Sequence, residues 1–443
     1  MYKQLLILML SVLLSTIVNA QIPEKAFPLT NSLNDLWYKG ETEKAIENSL
    51  ELYKLYPPFL IENIHNTLAQ QFQNKDAVHN SSVFIEQLYL RNNLTLNEII
   101  RPIYLWNKVI NTSDSEKLMG IVNELEKCLT DSSNYQSHTE RYCLLVLNEM
   151  DSKMMGDKNT KKKLLLKVIS NLETYPYLVQ SVSGRKALER AWNRYLLAYS
   201  YFYLYSKFDN KEEYLMKASN YSPDKNDVEV KHAYSYEASL LAGNTGQIGF
   251  KMDYLNYLKA EKNTQKALIL LTEIAFGEPS DNNLEAIQNY YHNLSLEKPF
   301  NDYWHQYINL NSTKAPNVKV VFPEGVLDLT EKPGRWIYID VWGTWCSPCV
   351  KELPGLQSLF IKNSQDSKSK LSIYSFSFFS QNLVSFMNDN KYTFPVSEID
   401  KPLNDAFEVT GYPTKILITP EGYYLKIPFN VDWKLYIKNY CLM

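Results

Sequence analysis

The sequence predicts a multidomain chain: an all-α helical N-terminal region followed by an α/β domain. Two observations predict it. From about residue 25 to 310, apolar residues recur at three- and four-residue spacings, the period of one helix face. After Ala315-Pro316, short β-branched runs alternate with helical ones, the order that builds a sheet with helices packed on it. A chain of 443 residues is long enough for each part to bury its own core.

Composition narrows the function. Hydrophobic residues make up 45% and charged residues 21%, a globular mixture. A formal net charge of −3 gives no electrostatic footprint for nucleic acid. The densest basic run, Lys158 with Lys161, Lys162 and Lys163, reads as a solvated helix start. Lys3 is the sole charge in the first twenty residues. The apolar run "LLILMLSVLLSTIV" follows it, and Val18-Asn19-Ala20 places small residues where a signal peptidase reads. The expectation is a signal peptide at 1–20 and an exported protein, periplasmic or secreted within the cell envelope. With no cysteine near the cleavage point and no later long apolar run, neither a lipid anchor nor an integral membrane segment is expected after cleavage.

Export bears on the five cysteines, because exported pairs are either structural disulfides or exchange catalysts. Cys128 and Cys143 suit a bridge between neighbouring helices or two buried thiols equally well, and Cys441 is left over. The helical region is expected over 21–314. Within it, "LWYKGETEKAIENSLELYKLYPP" from Leu36 to Pro58 reads as a helix ending near Gly40, then a second with Ala45 inward and a stop before Pro57. It resembles a tetratricopeptide (TPR) helix pair, and 194–224 and 233–260 repeat the theme loosely. A non-repeating helical array is the alternative. Tyr199, Tyr201, Tyr203 and Tyr205 alternate as a strand would, yet the long flanks favour a helix whose tyrosines are core; a peptide-binding aromatic groove is the sharper alternative.

The domain expected over 315–443 opens with a hairpin around Glu324-Gly325. "RWIYIDVW" is a buried strand, a helix follows, and "KLSIYSFSFF" is the next strand. "QNLVSFMNDN" is a helix, "KILIT" and "YYLKIPF" are strands joined at Pro420-Glu421-Gly422, and a short terminal helix ends the chain. Between the first strand and its helix stands "WGTWCSPCV", Trp342 to Val350, with two residues between Cys346 and Cys349. No second Cys or His pair completes a zinc site, so no metal is expected. Val350 stands where haem attachment needs His, and no other cofactor is called for. A structural bridge over two residues would constrain little chain. Exchange chemistry remains. Cys346 at a helix start, with Pro348 in the first turn, gains thiolate character from unpaired N–H groups. Cys349, one turn on, is placed to resolve a mixed disulfide. Asp340, in an apolar strand, would hold a buried carboxyl with a raised pKa and shuttle the Cys349 proton; a satisfied core acid, or one turned to solvent, is the alternative. Pro413, just before "KILIT", suits a cis bond after Tyr412 that exposes backbone to an extended peptide, or an ordinary trans loop.

These segments together resemble a thioredoxin-like thiol–disulfide oxidoreductase of the exported TlpA-like group, over about 315–430. The resemblance implies a thioredoxin-like fold, with Cys346 as nucleophile, Cys349 as resolving thiol and Pro413 as cis-proline. It also implies Trp345 shielding the site, Asp340 as the buried acid, and Glu352 and Pro354 completing the motif. Ser347, Pro348, Tyr412 and Thr414 form the surround. Expected partners are protein substrates with disulfides or thiols and a redox partner that recycles the Cys346–Cys349 disulfide, with the helical region recruiting one or the other. The Ser-Pro pair between the cysteines, with no histidine or charge, favours a reductant. Two other readings use the same residues: a helical-repeat scaffold with a redox-inert module, and a peroxidase using Thr344 and Arg335.

Overall fold

The computed structural model describes residues 22–91, 93–130, 138–243, 246–323 and 325–442. The expected signal peptide at 1–20 lies outside them, as does Glu324 of the expected hairpin turn. Packing divides the chain into two compact units, Met1–Pro223 with Val230–Tyr254, and Asp224–Glu229 with Leu255–Met443. Among the described residues no helix is long and apolar enough to cross a membrane.

In the first unit a helix pair forms where one was expected. Ala26–Lys39 ends at Gly40, whose φ of 70° lies in the left-handed region that glycine enters without steric cost, and Thr42–Leu55 follows. The four tyrosines lie on one helix, Arg185–Lys207, and not on a strand. Tyr201 and Tyr203 are buried, while Phe202 stacks on Phe250 at 4.4 Å. At a π-helical turn, Asn63–Leu68, Arg141 donates to His65 O at 2.8 Å and the Tyr236 hydroxyl to Asn66 O at 2.7 Å. Arg141 is also paired with Glu237, and both side chains are fully buried. Cys143 is a buried thiol, and no bridge joins it to Cys128.

The second unit holds all the described strands, and its elements are labelled here. Helices α1 (Thr264–Gly277), α2 (Asp281–Asn293) and α3 (Phe300–Leu310) precede β1 (Thr313–Lys314), β2 (Lys319–Phe322), β3 (Gly325–Asp328) and β4 (Trp336–Trp342). Then come α4 (Ser347–Gln365), β5 (Leu371–Phe378), α5 (Leu383–Asp389), β6 (Val396–Ile399), α6 (Lys401–Ala406), β7 (Thr414–Ile418), β8 (Tyr423–Ile427) and α7 (Trp433–Cys441). The sheet order is β1-β8-β7-β4-β5-β6, with β2 and β3 forming a separate hairpin. β4 runs parallel to β5, and β5 to β6, whereas β7 is antiparallel to both β4 and β8. This is the expected α/β domain with additions. β6 is an edge strand of four residues whose polar Ser397 and Glu398 hide any alternation, and α6 is capped by Asp400 with Pro402 in its first turn.

The division between units differs from the expected one at 314/315, because α1 to α3 pack with the terminal helix. Trp304 is fully buried, donates its indole N–H to Asn439 O at 3.2 Å and stacks on Tyr440. The Tyr440 hydroxyl donates to Phe276 O at 2.7 Å, and Asn439 to Pro279 O at 2.7 Å. Helical periodicity reports a buried face and not which neighbour buries it, so a sequence boundary drawn at the first strand misses this. Replacing Trp304 with Ala is expected to cost about 3–5 kcal/mol in urea unfolding; a loss below about 1 kcal/mol would place it outside this unit's core.

Candidate functional site

β4 carries the site at its C-terminal end. All seven of its residues are buried. Ile337, Ile339 and Val341 join Phe376, Ile416 and Ile418 in one apolar core that also takes Phe322 and Leu327 of the hairpin. Side chains alternate along a strand, so Tyr338, Asp340 and Trp342 point to the other face. α4 and α7 cover that face: Lys415, opposite Asp340 on β7, pairs with Glu352 of α4, and Tyr338 stacks on Trp433 of α7 at 5.4 Å.

Beyond β4, the turn at Gly343 admits no side chain. A Cβ there would meet Trp345 Nε1 at 2.5 Å and Phe378 O at 2.9 Å. Cys346 caps α4, and its Sγ accepts the Cys349 N–H at 3.3 Å. Ser347 and Pro348 occupy the exposed first turn. Cys346 and Cys349 are joined by a disulfide with Cα atoms 5.2 Å apart. Cys346 is 6% exposed and Cys349 1%, an asymmetry that leaves Cys346 the sulfur nearer solvent. The buried stripe of α4, Cys349, Leu353 and Leu356, has helical spacing. The helix continues through Pro354.

Aromatic groups surround the pair. Trp345 is 56% exposed, donates its indole N–H to Phe378 O at 3.0 Å, and meets Tyr412 edge to face at 5.2 Å. Tyr412 stacks on Phe378 at 5.5 Å and donates its hydroxyl to Asn404 Oδ1 at 2.9 Å. These contacts set the loop 411–413 beside the cysteine turn. The Tyr412–Pro413 peptide bond is cis. Thr414 opens β7 opposite Val341, and its hydroxyl donates to Gly411 O at 2.7 Å. Phe379, absent from the expected site, stands 73% exposed with φ of 48°, a region that aromatic residues rarely enter. Its loop is tied to the cysteine turn by the Thr344 N–H bond to Ser380 Oγ at 2.9 Å.

Asp340 is buried, and its Oδ1 accepts no hydrogen bond among the described residues. Burial raises its carboxyl to about 6, with Glu352 adding to the rise and Lys415 opposing it. Lys415 Nζ lies 3.6 Å from Asp340 Oδ1, beyond hydrogen-bond reach. Lys415 was not expected at the site. The signal available was a lysine inside an otherwise apolar strand, "KILIT", next to Pro413-Thr414. Arg335, which a peroxidase would need near Cys346, donates to Ser369 O and Leu371 O at the opposite end of β4. A seven-residue strand, about 23 Å long, separates it from the cysteines.

The raised Asp340 carboxyl ties stability to pH. Ionising it costs the folded state more than the unfolded one. The stability it supplies is therefore complete below about pH 4 and is lost as pH rises through about 6. The span from 3.8 to about 6 is worth about 3 kcal/mol. Asp340→Asn is thus expected to stabilise the oxidised protein by up to about 3 kcal/mol at pH 8 and by almost nothing near pH 4. Urea unfolding at the two pH values checks this, and an equal effect at both would contradict it.

No family model matches the chain. Thiol-disulfide oxidoreductase ResA of Bacillus subtilis is 30% identical over 137 residues, 28% of this chain and 71% of the relative. ResA of Bacillus anthracis is 31% identical over 112 residues, 25% of this chain, and thioredoxin-like protein YneN of Bacillus subtilis is 26% identical over 99, 21% of this chain. The chain spans 64% and 56% of these two, less than two thirds of each. Among solved structures, a thiol:disulfide interchange protein from Chlorobium tepidum TLS is 20% identical. That match covers 29% of this chain and 97% of the other, with a TM-score of 0.26.

Proposed function

Because the chain belongs to the thiol-disulfide oxidoreductases through part of its length, we propose that Cys346 and Cys349 exchange disulfides with protein clients outside the cytoplasm, as a reductant. One observation carries the assignment to these residues: the two cysteines are bonded across the first turn of α4, with Cys346 Sγ receiving a backbone N–H. That N–H and the positive helix end favour the thiolate once the bond is reduced.

The Cys346 thiolate attacks one sulfur of a client disulfide, forms a mixed disulfide and expels the other client sulfur as thiolate. Cys349 then loses its proton to the Asp340 carboxylate and attacks Cys346 Sγ. The second client sulfur leaves with the electron pair of the broken bond. Two electrons have passed to the client, Cys346–Cys349 is again a disulfide, and a dithiol partner must return the electrons. Pro413 and Thr414 offer backbone beside the pair for an extended client, Trp345 and Tyr412 form its aromatic wall, and Ser347 and Pro348 leave the first turn open.

The charged-then-apolar N-terminus with Val18-Asn19-Ala20 supports export to the cell envelope. The helical unit serves as the recruiting part. A groove of about 350 Å³ in it is lined by Tyr199, Phe202, Tyr203, Asp151 and Lys207, a mixture that suits a peptide segment.

Cys346→Ser is expected to bring the reduction of a protein disulfide down to the uncatalysed rate, and wild-type turnover would sink the proposal. Cys349→Ser is expected to retain clients as stable mixed disulfides on Cys346, identified by mass spectrometry; no adduct would favour a redox-inert scaffold instead. Phe379→Ser is expected to lower kcat/KM for a protein client about fivefold to tenfold, the loss of about 1–1.4 kcal/mol of docking. It should leave reduction of a small aliphatic disulfide unchanged, and an equal loss with both substrates would assign Phe379 a structural role.

A further inference from the structure

Lys415 stands out among the groups around the disulfide because it is an ammonium facing two carboxylates. Ile416 and Ile418 of β7 belong to the apolar core, so Lys415 emerges on the opposite face, where it is 6% exposed. Asp340 is its direct partner in the strand register. Glu352, on α4 one turn after Cys349, is its bonded partner. A buried cation is tolerated only when paired, and one cation cannot fully compensate two carboxylates. In the disulfide form Lys415 is held by Glu352 and stays 3.6 Å from Asp340 Oδ1.

The other neighbours of this group are few. Tyr338, two residues earlier on β4, has a buried hydroxyl without a hydrogen bond among the described residues. Cys349 lies on α4. Ser375, opposite Asp340 on β5, is not titratable, and its hydroxyl accepts from the Trp342 indole N–H. On α7, Lys434 lies 5.3 Å from the Trp433 ring, and Lys415 lies 5.7 Å from the same ring.

Resting on the exchange reading of the cysteine pair, we propose that Lys415 is a positioning residue for the resolving step. It is a single buried cation shared between Glu352 and Asp340, and its place between them decides whether Asp340 is free to take the proton of Cys349. In that step the Cys349 S–H proton passes to Asp340. The sulfur's electron pair forms the bond to Cys346, and the client sulfur departs with the pair of the broken bond. Lys415 closer to Asp340 favours the ionised acid; Lys415 drawn to Glu352 leaves a more basic one. The rise of Asp340 to about 6 puts this choice within reach of neutral pH.

The two carboxylates give opposite signs to the test. Lys415→Met removes the cation and should move the acid limb of the resolving rate upward by at least about one pH unit. Glu352→Gln frees Lys415 for Asp340 and should move the limb downward by a similar amount. Lys415→Arg should keep it near wild type. The measurement is stopped-flow release of thionitrobenzoate from an aromatic disulfide by the reduced full chain, between about pH 5 and 9, a range that brackets the Asp340 and thiol titrations. Cys128→Ser in every chain silences that half-buried sulfur. The first release reports attack by Cys346 and the second reports resolution by Cys349. Absence of the first phase in the parent chain would overturn the exchange reading itself. A normal first phase with limbs that do not move, or that move the same way in both variants, would overturn the role of Lys415 alone. If Lys415→Met does not fold, the downward shift in Glu352→Gln decides the matter.

Discussion

β4 is buried along its whole length, and a strand covered on both faces must satisfy two unlike sets of neighbours at once. On one face, Ile337, Ile339 and Val341 lock into an apolar core that fixes its register against β5 and β7. The other face lies beneath α4 and α7, and there the same register sets Asp340 opposite Lys415. At the strand's end the chain leaves through Gly343, where any side chain would strike Trp345, and turns directly into the first turn of α4. The position of Cys346, the burial of Cys349 and the acid beneath them all depend on that one strand holding its register. A one-residue slip would exchange the two faces and put the carboxylate into the apolar core.

The surface around the cysteines combines two opposite requirements. Cys349, Asp340 and Lys415 are shut away from water, where each charge acts strongly. Trp345 and Phe379 are held out into solvent on the same rim, tied down by hydrogen bonds from the indole of Trp345 to Phe378 O and from Thr344 N to Ser380. A dry interior suits proton transfer between sulfur and carboxyl, and a rigid exposed aromatic rim suits a partner whose own apolar groups flank its disulfide. The first unit handles its buried charges differently. Arg141 and Glu237 compensate each other one to one, and Arg141 also donates to the carbonyl of His65. That pair is matched one to one, whereas Lys415 faces two carboxylates, Asp340 and Glu352.

Much of this was legible in the residues. "IDVWGTWCSPCV" placed a buried strand, a turn and a helix start in sequence, and periodicity gave the long tyrosine helix despite its strand-like alternation. Burial of Asp340 followed from its apolar strand. What stayed hidden were partnerships across the fold. Lys415 in "KILIT" shows only as a lysine inside an apolar strand until register sets it opposite Asp340, and Glu352 shows a motif position but not the cation it holds. Phe379 follows the end of a strand, and nothing local shows that its backbone turns left-handed and leaves the ring exposed. The packing of α1 to α3 against α7 rests on contacts such as Trp304 with Asn439, some 135 residues apart, which no local pattern encodes.

The exchange proposed for Cys346 and Cys349 requires two electrons to move between this one cysteine pair and a disulfide. The most direct measurement mixes the fully reduced chain with a disulfide-bonded peptide without oxygen and follows the masses of both. The expected outcome is that the chain loses two hydrogens as the peptide gains two, one chain per peptide, with the new bond mapped by proteolysis to Cys346 and Cys349. A peptide that stays oxidised beside a chain that stays reduced, or a new bond mapped to Cys128, Cys143 or Cys441, would contradict it.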